Sequence, residues 1–565
     1  MASPLRIVVV GGYGIFGGRL CRLLAPDARL ALMVGGRSLK RAETLCAELP
    51  PGASRQAILF DREGDLQAQL QRTCPDLVID ASGPFQSYGD DPYRLVKACI
   101  ACNVNYMDFA DGSDFVDGIG KFDEAANERG IFVISGVSSF PVLTAAVIRR
   151  LSRDMVNLRS VQGGIAPSPF AGVGMNVIRA ISAYAGQEVK LVRGGVPVSG
   201  RALTESMRYT IAPPGRLPLA NIRFSLVDVP DLQVLPKLWP RLDMVWMGAG
   251  TVPEVLHLAL NGLSWLVRIG ALRSLSPFAI IFFHVMNTLR WGEHRGGMFV
   301  HVNGIATDGS AVSRSWHLLA EGDDGPLIPC MALEALVQRS LAGYSPPPGA
   351  RPASKELELE DYERLFSRRT IFTGEREAPA SESGQSVFKT LLGDAWPQLP
   401  APIQAMHSGN GNAQQIWVGE ASVERGTGWA SWVVAKVFGF PSGGALVPVR
   451  LHVDSLATAE TWSRSFGERS FSSSLSLGTG RSHRLLCERF GPFTFALALV
   501  LDESKLHYVV RRWSVLGLVL PRFLAPGGNS FESTDQNRFC FHVEITQPLI
   551  GLIVRYKGWL VPATP

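Results

Sequence analysis

The sequence predicts an α/β chain: a doubly wound parallel sheet, followed by an α+β second domain and a β-rich C-terminal domain. Three observations carry this. Up to Val137, short β-branched runs alternate with helical stretches. A glycine-rich turn stands at the first strand-to-helix junction. From residue 386 onward, aromatic and β-branched residues alternate with polar ones at period two.

Residues 5–10 are short, apolar and bounded by glycine, as in a buried parallel strand. GRLCRLLAP then has helical apolar spacing. LALMVGGR (30–37) predicts a second strand, LKRAETLCAEL a helix and AILFD (57–61) a third strand. EGDLQAQLQRT is helical, and DLVIDASGPF (76–85) is a fourth strand with its loop. DPYRLVKACIACN predicts a helix, VNYMDFAD a fifth strand, FDEAANERG a helix and IFVISGV (131–137) a sixth strand. Repetition of this βαβ unit implies a Rossmann-like architecture over residues 1–150.

Residues 151–344 mix glycine-bearing strands, such as RSVQGGIA and MFVHVNGIATDGS, with helices such as GMNVIRAISAYAG, as in an α+β domain. Within it, residues 253–291 are strongly apolar. Their longest charge-free run, Ser274 to Leu289, falls short of the ~20 residues that span a bilayer, and Pro277 interrupts it. Two helices in a core, a homodimer interface and a peripheral membrane contact all fit this pattern. Residues 345–385 are rich in Pro, Ser and charge and read as a linker, with one short helix around ELEDYERLF. Residues 386–565 carry runs such as FTFALALVLDES and KLHYVVRRW, expected as antiparallel strands of a sandwich or half-barrel.

Length and composition bound the function. At 565 residues the chain exceeds one core, and with 46% hydrophobic and 19% charged residues it is built to fold. A net charge of +5 without a dense Lys/Arg block argues against nucleic acid. The eight cysteines are scattered, which does not suit a disulfide scaffold. Cys99 and Cys102 form a CxxC with neither a second pair nor a His cluster, so no metal site is expected. The N-terminus runs directly into a strand, without a cationic leader, so a cytoplasmic location is expected, with possible membrane association through 253–291.

The motif with most chemical content is Gly12-Tyr13-Gly14-Ile15-Phe16-Gly17, which leaves a strand and opens a helix. Gly12 would allow the tight turn, Gly14 the approach of a pyrophosphate, and Gly17 close packing of helix on strand. Helix N-terminal amides would then face the phosphates. An NAD site usually ends its second strand in Asp or Glu; here Gly35-Gly36-Arg37-Ser38 stands there. A guanidinium pairs with a 2′-phosphate that a carboxylate would repel, so the pattern favours NADP over NAD. Lys40 and Arg41 would add contacts or form a solvated helix face. Asp61 ends the third strand, to meet the adenine amine or to cap a helix. Ser82, Gly83 and Pro84 end the fourth strand beside the expected nicotinamide, with Tyr88 on the following loop.

Together these blocks resemble the saccharopine dehydrogenase-like family in its NADP-binding N-terminal part. The matching stretches are VVVGGYGIFGGRL, VGGRSLKRAETLCAEL, VIDASGPFQSYG, KACIACNVNYMDFAD and ISGVSSFPVLTAAVI, well placed over residues 5–150 and weakly continued over 150–340. The resemblance implies a Rossmann domain, a substrate-bearing second domain and nicotinamide-dependent oxidation or reduction. Such relatives include amino-acid imine reductases and trans-acting enoyl reductases. Residues 388–407, GFPSGGALVPVRLHV, ETWSRSFG, ERFGPFTFAL and PLIGLIVRYKGWL resemble an uncharacterised bacterial domain that follows this kind of unit. There, strand spacing puts Glu460, Trp462, Arg464 and Phe466 on one face, where Arg464 would hold a ligand head group or close an ion pair. Glu488 and Arg489 are the other charges of interest.

The expected activity is hydride transfer to or from a C=N, C=O or activated C=C bond of an apolar small molecule, because the apolar second domain suits such a substrate. Tyr88, Tyr106 and Asp108 are the candidate proton donors, with Tyr106 equally readable as a packed sheet residue. The competing readings are a non-catalytic NADP(H)- and lipid-binding scaffold and a saccharopine-type imine dehydrogenase.

Overall fold

In the computed structural model, residues 3–250, 253–378, 386–409, 414–456 and 459–563 are described. The chain divides into two compact units. One holds the chain up to Arg208 with Arg223–Trp316 and Ala320–Phe372; the other holds Tyr209–Ile222, His317–Leu319 and the chain from Thr373.

The first unit starts with β1 (Leu5–Val10), α1 (Ile15–Leu24), β2 (Leu30–Gly36), α2 (Leu39–Glu48), β3 (Ser54–Leu59) and α3 (Leu66–Thr73). β4 (Leu77–Asp80), α4 (Arg94–Ala101), β5 (Asn105–Asp108) and β6 (Phe132–Ser135) follow. β1 is buried from Ile7 to Val10 because helices cover both faces of a parallel sheet. α3 starts where the Asp65 carboxylate accepts from the Ala68 amide at 3.0 Å. The order β6-β5-β4-β1-β2-β3 is the doubly wound one expected.

A seventh strand, Gly349–Pro352, extends this sheet parallel to β6. It lies in the stretch expected as a linker, which also forms a helix at Leu359–Phe366 and a strand at Ile371–Glu377. Four residues ending in proline carry no hydrophobic period, and an edge strand tolerates proline because one side of it needs no N–H. Residues 379–385 of that stretch lie outside the described ones.

Beyond β6 the unit adds a mixed sheet. Met155–Ala166 pairs parallel with Met244–Gly250 and antiparallel with Arg295–Ala306. The apolar stretch forms helices Glu254–Arg268 and Ala279–Thr288, and these are not a core. The first is turned largely inside out. It buries His257 and Ser264 along with Val267, with the imidazole Nε2 2.7 Å from Ser225 Oγ, and exposes Val255, Leu258, Trp265 and Leu266. Among the described residues no helix is long and apolar enough to cross a membrane.

In the second unit the expected sandwich or half-barrel is a closed antiparallel barrel. Its sheet has 11 strands; Leu518–Val519 pairs only with Lys505–Val515, and the other strands form a ring. Phe493–Asp502 pairing with Lys505–Val515 closes the ring, so among the described residues only the short Leu518–Val519 is left as an edge. Helices Val387–Leu392 and Ala401–Met406 pack on the core at one end. Helix Trp429–Val437 lies at the other, where Ser431 Oγ donates to the Leu552 carbonyl at 2.9 Å.

Candidate functional site

The site is built at the carboxyl edge of the parallel sheet, where the strand order reverses between β1 and β4. β1 leads into the glycine turn and α1 begins after Gly14, its N-cap. The tight turn sits at Gly11 rather than Gly12: Gly11 has φ +73°. A Cβ on Gly11 would stand 2.8 Å from Ser82 Cα. Gly12 instead keeps clear the β1–β2 contact, where a Cβ would be 2.9 Å from Val34 Cγ1. A Cβ on Gly14 would lie 3.0 Å from the Gly11 carbonyl oxygen, and one on Gly17 only 2.4 Å from it. The turn therefore offers bare backbone, and the first-turn amides of α1 have no intrahelical acceptors. This cradle fits a dinucleotide pyrophosphate. Ile15 packs toward Gly174, and the Phe16 ring stacks on Phe109 at 5.7 Å.

The Tyr13 ring lies over Gly36, where a Cβ would be 2.3 Å from it, and its hydroxyl accepts from the Ser38 amide at 3.0 Å. Arg41, not Arg37, covers this ring, at 4.6 Å. Arg37 is exposed and forms no hydrogen bond or ion pair among the described residues. Tyr13, Ser38 and Arg41 are thus gathered at the end of β2, with Arg37 exposed beside them. Asp61 is occupied locally: its carboxylate accepts from the Glu63 amide at 3.1 Å and its backbone pairs with the Gln69 side chain.

At the end of β4 the structure assembles a cluster around Asp80, a residue the sequence reading missed. The Asp80 carboxylate accepts from Ser82 Oγ at 2.5 Å, the Ser82 amide at 2.9 Å and the Tyr88 hydroxyl at 3.1 Å. Ser82 Oγ and the Tyr88 hydroxyl are 2.8 Å apart. The Arg62 guanidinium sits 3.2 Å from the Tyr88 ring centroid. Burial pushes the Tyr88 phenol well above its usual range, with Asp80 adding to it, and burial also raises Asp80. Asn176 donates to the carbonyls of Ser82 and Gly83, at 3.3 and 2.9 Å, and Arg19 to that of Ala171 at 2.9 Å. The segment from Ala171 to Asn176 thereby roofs the glycine turn and the Ser82-Gly83-Pro84 loop.

Of the three proton-donor candidates, Tyr88 lines the cavity at this edge of the sheet, and Tyr106 and Asp108 are not part of its wall. Tyr106 is 1% exposed inside β5, with its phenol pushed well up by burial, and cannot meet a substrate there. Asp108 is fully buried. Its Oδ1 accepts from the Gly136 amide at 2.7 Å, the Ala110 amide at 2.9 Å and Ser135 Oγ at 3.0 Å, tying the end of β5 to that of β6. Oδ2 has no hydrogen-bond partner among the described residues, and burial pushes the carboxyl up to about 7. The cavity beside Tyr88 has a volume of about 580 Å³. Phe85, Tyr93, Phe115, Tyr184, Asp114 and Asp228 contribute to its wall, and no Lys or Arg among the described residues does.

Residues 7–134 match the family described as the saccharopine dehydrogenase NADP binding domain. The N-terminal part of the first unit is thus similar to that NADP-binding domain, and the match supports NADP as the cofactor. Residues 399–560, most of the barrel, match a domain of unknown function, DUF4166. No curated protein matches the chain. Among solved structures it is similar to apo saccharopine dehydrogenase (L-Glu forming) from Saccharomyces cerevisiae, at 12% identity over 66% of this chain and 100% of that one, with a TM-score of 0.48. It is also similar to biliverdin reductase with biliverdin and NADP+ from Synechocystis sp. PCC 6803, at 12% identity over 64% and 95% of the two chains, with a TM-score of 0.30.

Proposed function

We propose that the chain is an NADP-dependent oxidoreductase whose substrate is hydrophobic and carries a C=N, C=O or activated C=C bond. The observation that carries this is the juxtaposition, across β1 and β4, of the bare glycine cradle with the Asp80–Ser82–Tyr88 cluster. NADP supplies the hydride chemistry. Gly11, Gly12, Gly14 and Gly17 leave room for its pyrophosphate, and Arg37 and Ser38 meet its 2′-phosphate. Ser82, Gly83 and Pro84 border the nicotinamide end. Tyr88, kept protonated by its burial beside Asp80, is the cavity-lining proton donor, and it would offer a substrate its proton by turning from Asp80.

The inverted helix Glu254–Arg268 supports the hydrophobic substrate. A face with Trp265 and Leu258 outward and His257 inward suits an apolar partner, and we read it as a contact with a lipid surface. The cavity wall without Lys or Arg does not suit a dicarboxylate, which disfavours the saccharopine-type reaction. A second reading, a non-catalytic NADP(H)-binding scaffold, draws on the fact that the Tyr88 hydroxyl is already engaged by Asp80.

NADPH oxidation by the purified chain, offered pools of enoyl, imine and carbonyl lipids, separates these readings. Binding of NADPH without turnover on any pool would leave the scaffold. Flotation with anionic liposomes tests the surface: Leu258→Glu with Trp265→Glu should abolish it. Unchanged flotation, or a dimer that dissociates in the same variant, would assign the face elsewhere.

A further inference from the structure

The second unit encloses a cavity of its own. It lies inside the closed barrel and has a volume of about 430 Å³, within the ~300–1,000 Å³ of small-molecule sites. At ~30 Å³ per water-sized group, that is space for about 14 such groups, the size of a medium-length alkyl chain. Leu451, Phe466, Leu475, Phe495, Leu497 and Phe541 line it. The end with helices Val387–Leu392 and Ala401–Met406 is filled by Phe388 and His407, which stack at 3.7 Å. The wall at the other end reaches the segment from Arg522 to Ser530.

Into this apolar space projects an ion pair. Arg464 donates to Ser473 Oγ at 2.9 Å and to Glu488 Oε1 at 3.3 Å, and Ser473 donates to the same oxygen at 2.7 Å. This is a single long contact, not the two-pronged fork an Arg and a carboxylate form when they serve each other alone. The other N–H groups of Arg464 meet no protein acceptor among the described residues. A charged pair inside an apolar barrel costs more in desolvation than an apolar pair of the same size, so its presence needs a reason. The other carboxylates of the wall are already engaged. Glu532 holds Tyr508 at 2.7 Å and His407 at 2.6 Å, and Glu544 holds Arg555 at 2.7 Å.

We propose that the barrel cavity is a binding site for one uncharged amphiphile, an apolar chain ending in a hydroxyl or carbonyl group, with that head at Arg464 and Ser473. The free N–H groups of Arg464 ask for an oxygen acceptor. Glu488, beside them, repels a carboxylate or phosphate placed there but accepts from a hydroxyl. The site lies wholly within the second unit and does not depend on hydride transfer.

The test uses the full chain with radiolabelled tetradecanol and, separately, tetradecanoate, measured by co-elution in gel filtration at neutral pH. We expect one tetradecanol per chain and tetradecanoate bound at least tenfold more weakly. Leu497→Trp should cut tetradecanol binding at least tenfold with NADPH binding unchanged; the milder Leu451→Phe serves if the tryptophan prevents folding. The paired change Arg464→Met with Glu488→Gln, which leaves no lone buried charge, should erase the preference for alcohol over acid. Absence of tetradecanol binding, tighter binding of the acid, or indifference to both cavity-filling changes would each overturn the proposal.

Discussion

Replacement of Asp108 by Asn isolates a pH dependence that the fold imposes on itself. Asp108 is fully buried, and its carboxyl is pushed from the ordinary 3.8 to about 7, chiefly by burial. A carboxyl raised on folding binds its proton more tightly in the native chain than in the unfolded one. Its stabilising effect is complete below about pH 4 and is lost as pH rises toward 7. One such group gives a slope of about −1.4 kcal/mol per pH unit in that window, or about 4 kcal/mol in all. Asp231, also fully buried and raised to about 7, contributes in the same direction, so the wild-type curve contains both. The difference between wild type and Asp108→Asn removes Asp231 from the comparison. An amide oxygen can keep the bonds from Ala110, Ser135 and Gly136 and carries no proton to lose. Urea unfolding followed by fluorescence between about pH 4 and pH 8 should show the variant gaining on wild type as pH rises, then a constant gap above about pH 7.5. A difference that is flat over the whole range would refute the argument. The variant should also keep its turnover, since Asp108 is placed as a strand tie.

Other substitutions bear on the nucleotide site. Gly17→Ala puts a methyl against the Gly11 carbonyl, so NADPH affinity in a fluorescence titration should fall by about tenfold or more, in line with the ~1–3 kcal/mol of overpacking. Arg37→Ala removes the charge at the end of β2 and should weaken NADPH by about tenfold to a hundredfold while leaving NADH unchanged, as a loss of ~1.5–3 kcal/mol from one charged hydrogen bond implies. Tyr88→Phe should lower turnover by about 10²-fold or more, with NADPH binding within about threefold of wild type. Equal losses in binding and turnover would make Tyr88 a packing residue.

The parts legible in the sequence were those set by local chemistry. Strand–glycine–helix punctuation marked β1 and α1, because only glycine lets backbone approach backbone at Gly14 and Gly17. Adjacent glycines hid which one turns, so the left-handed position at Gly11 went to Gly12. Asp80 reads as the last residue of an apolar strand; what draws Ser82 and Tyr88 to it is a loop closure that no spacing encodes. Asn176, 94 residues from Ser82, has no local signal at all. His257 and Ser264 do share a helical face at the right spacing, and reading them as the inward face would have shown the apolar residues pointing outward. Alternation marked the C-terminal strands, but closure depends on Phe493–Asp502 meeting Lys505–Val515 at the right stagger around the whole ring, which is a global property.

The edge strand Gly349–Pro352 sets an order of events during synthesis. A ribosome releases β1 to β6 early, yet the neighbour of β6 emerges only after more than 200 further residues, from Ser135 to Gly349. At ~5–20 residues per second, β6 waits for at least about ten seconds with one side unpaired while the mixed sheet and the inverted helix emerge. Nascent chains arrested before and after Pro352 should therefore differ in protease resistance at β6. A fragment that stops near residue 344, a natural place to cut by sequence, would leave that side open for good.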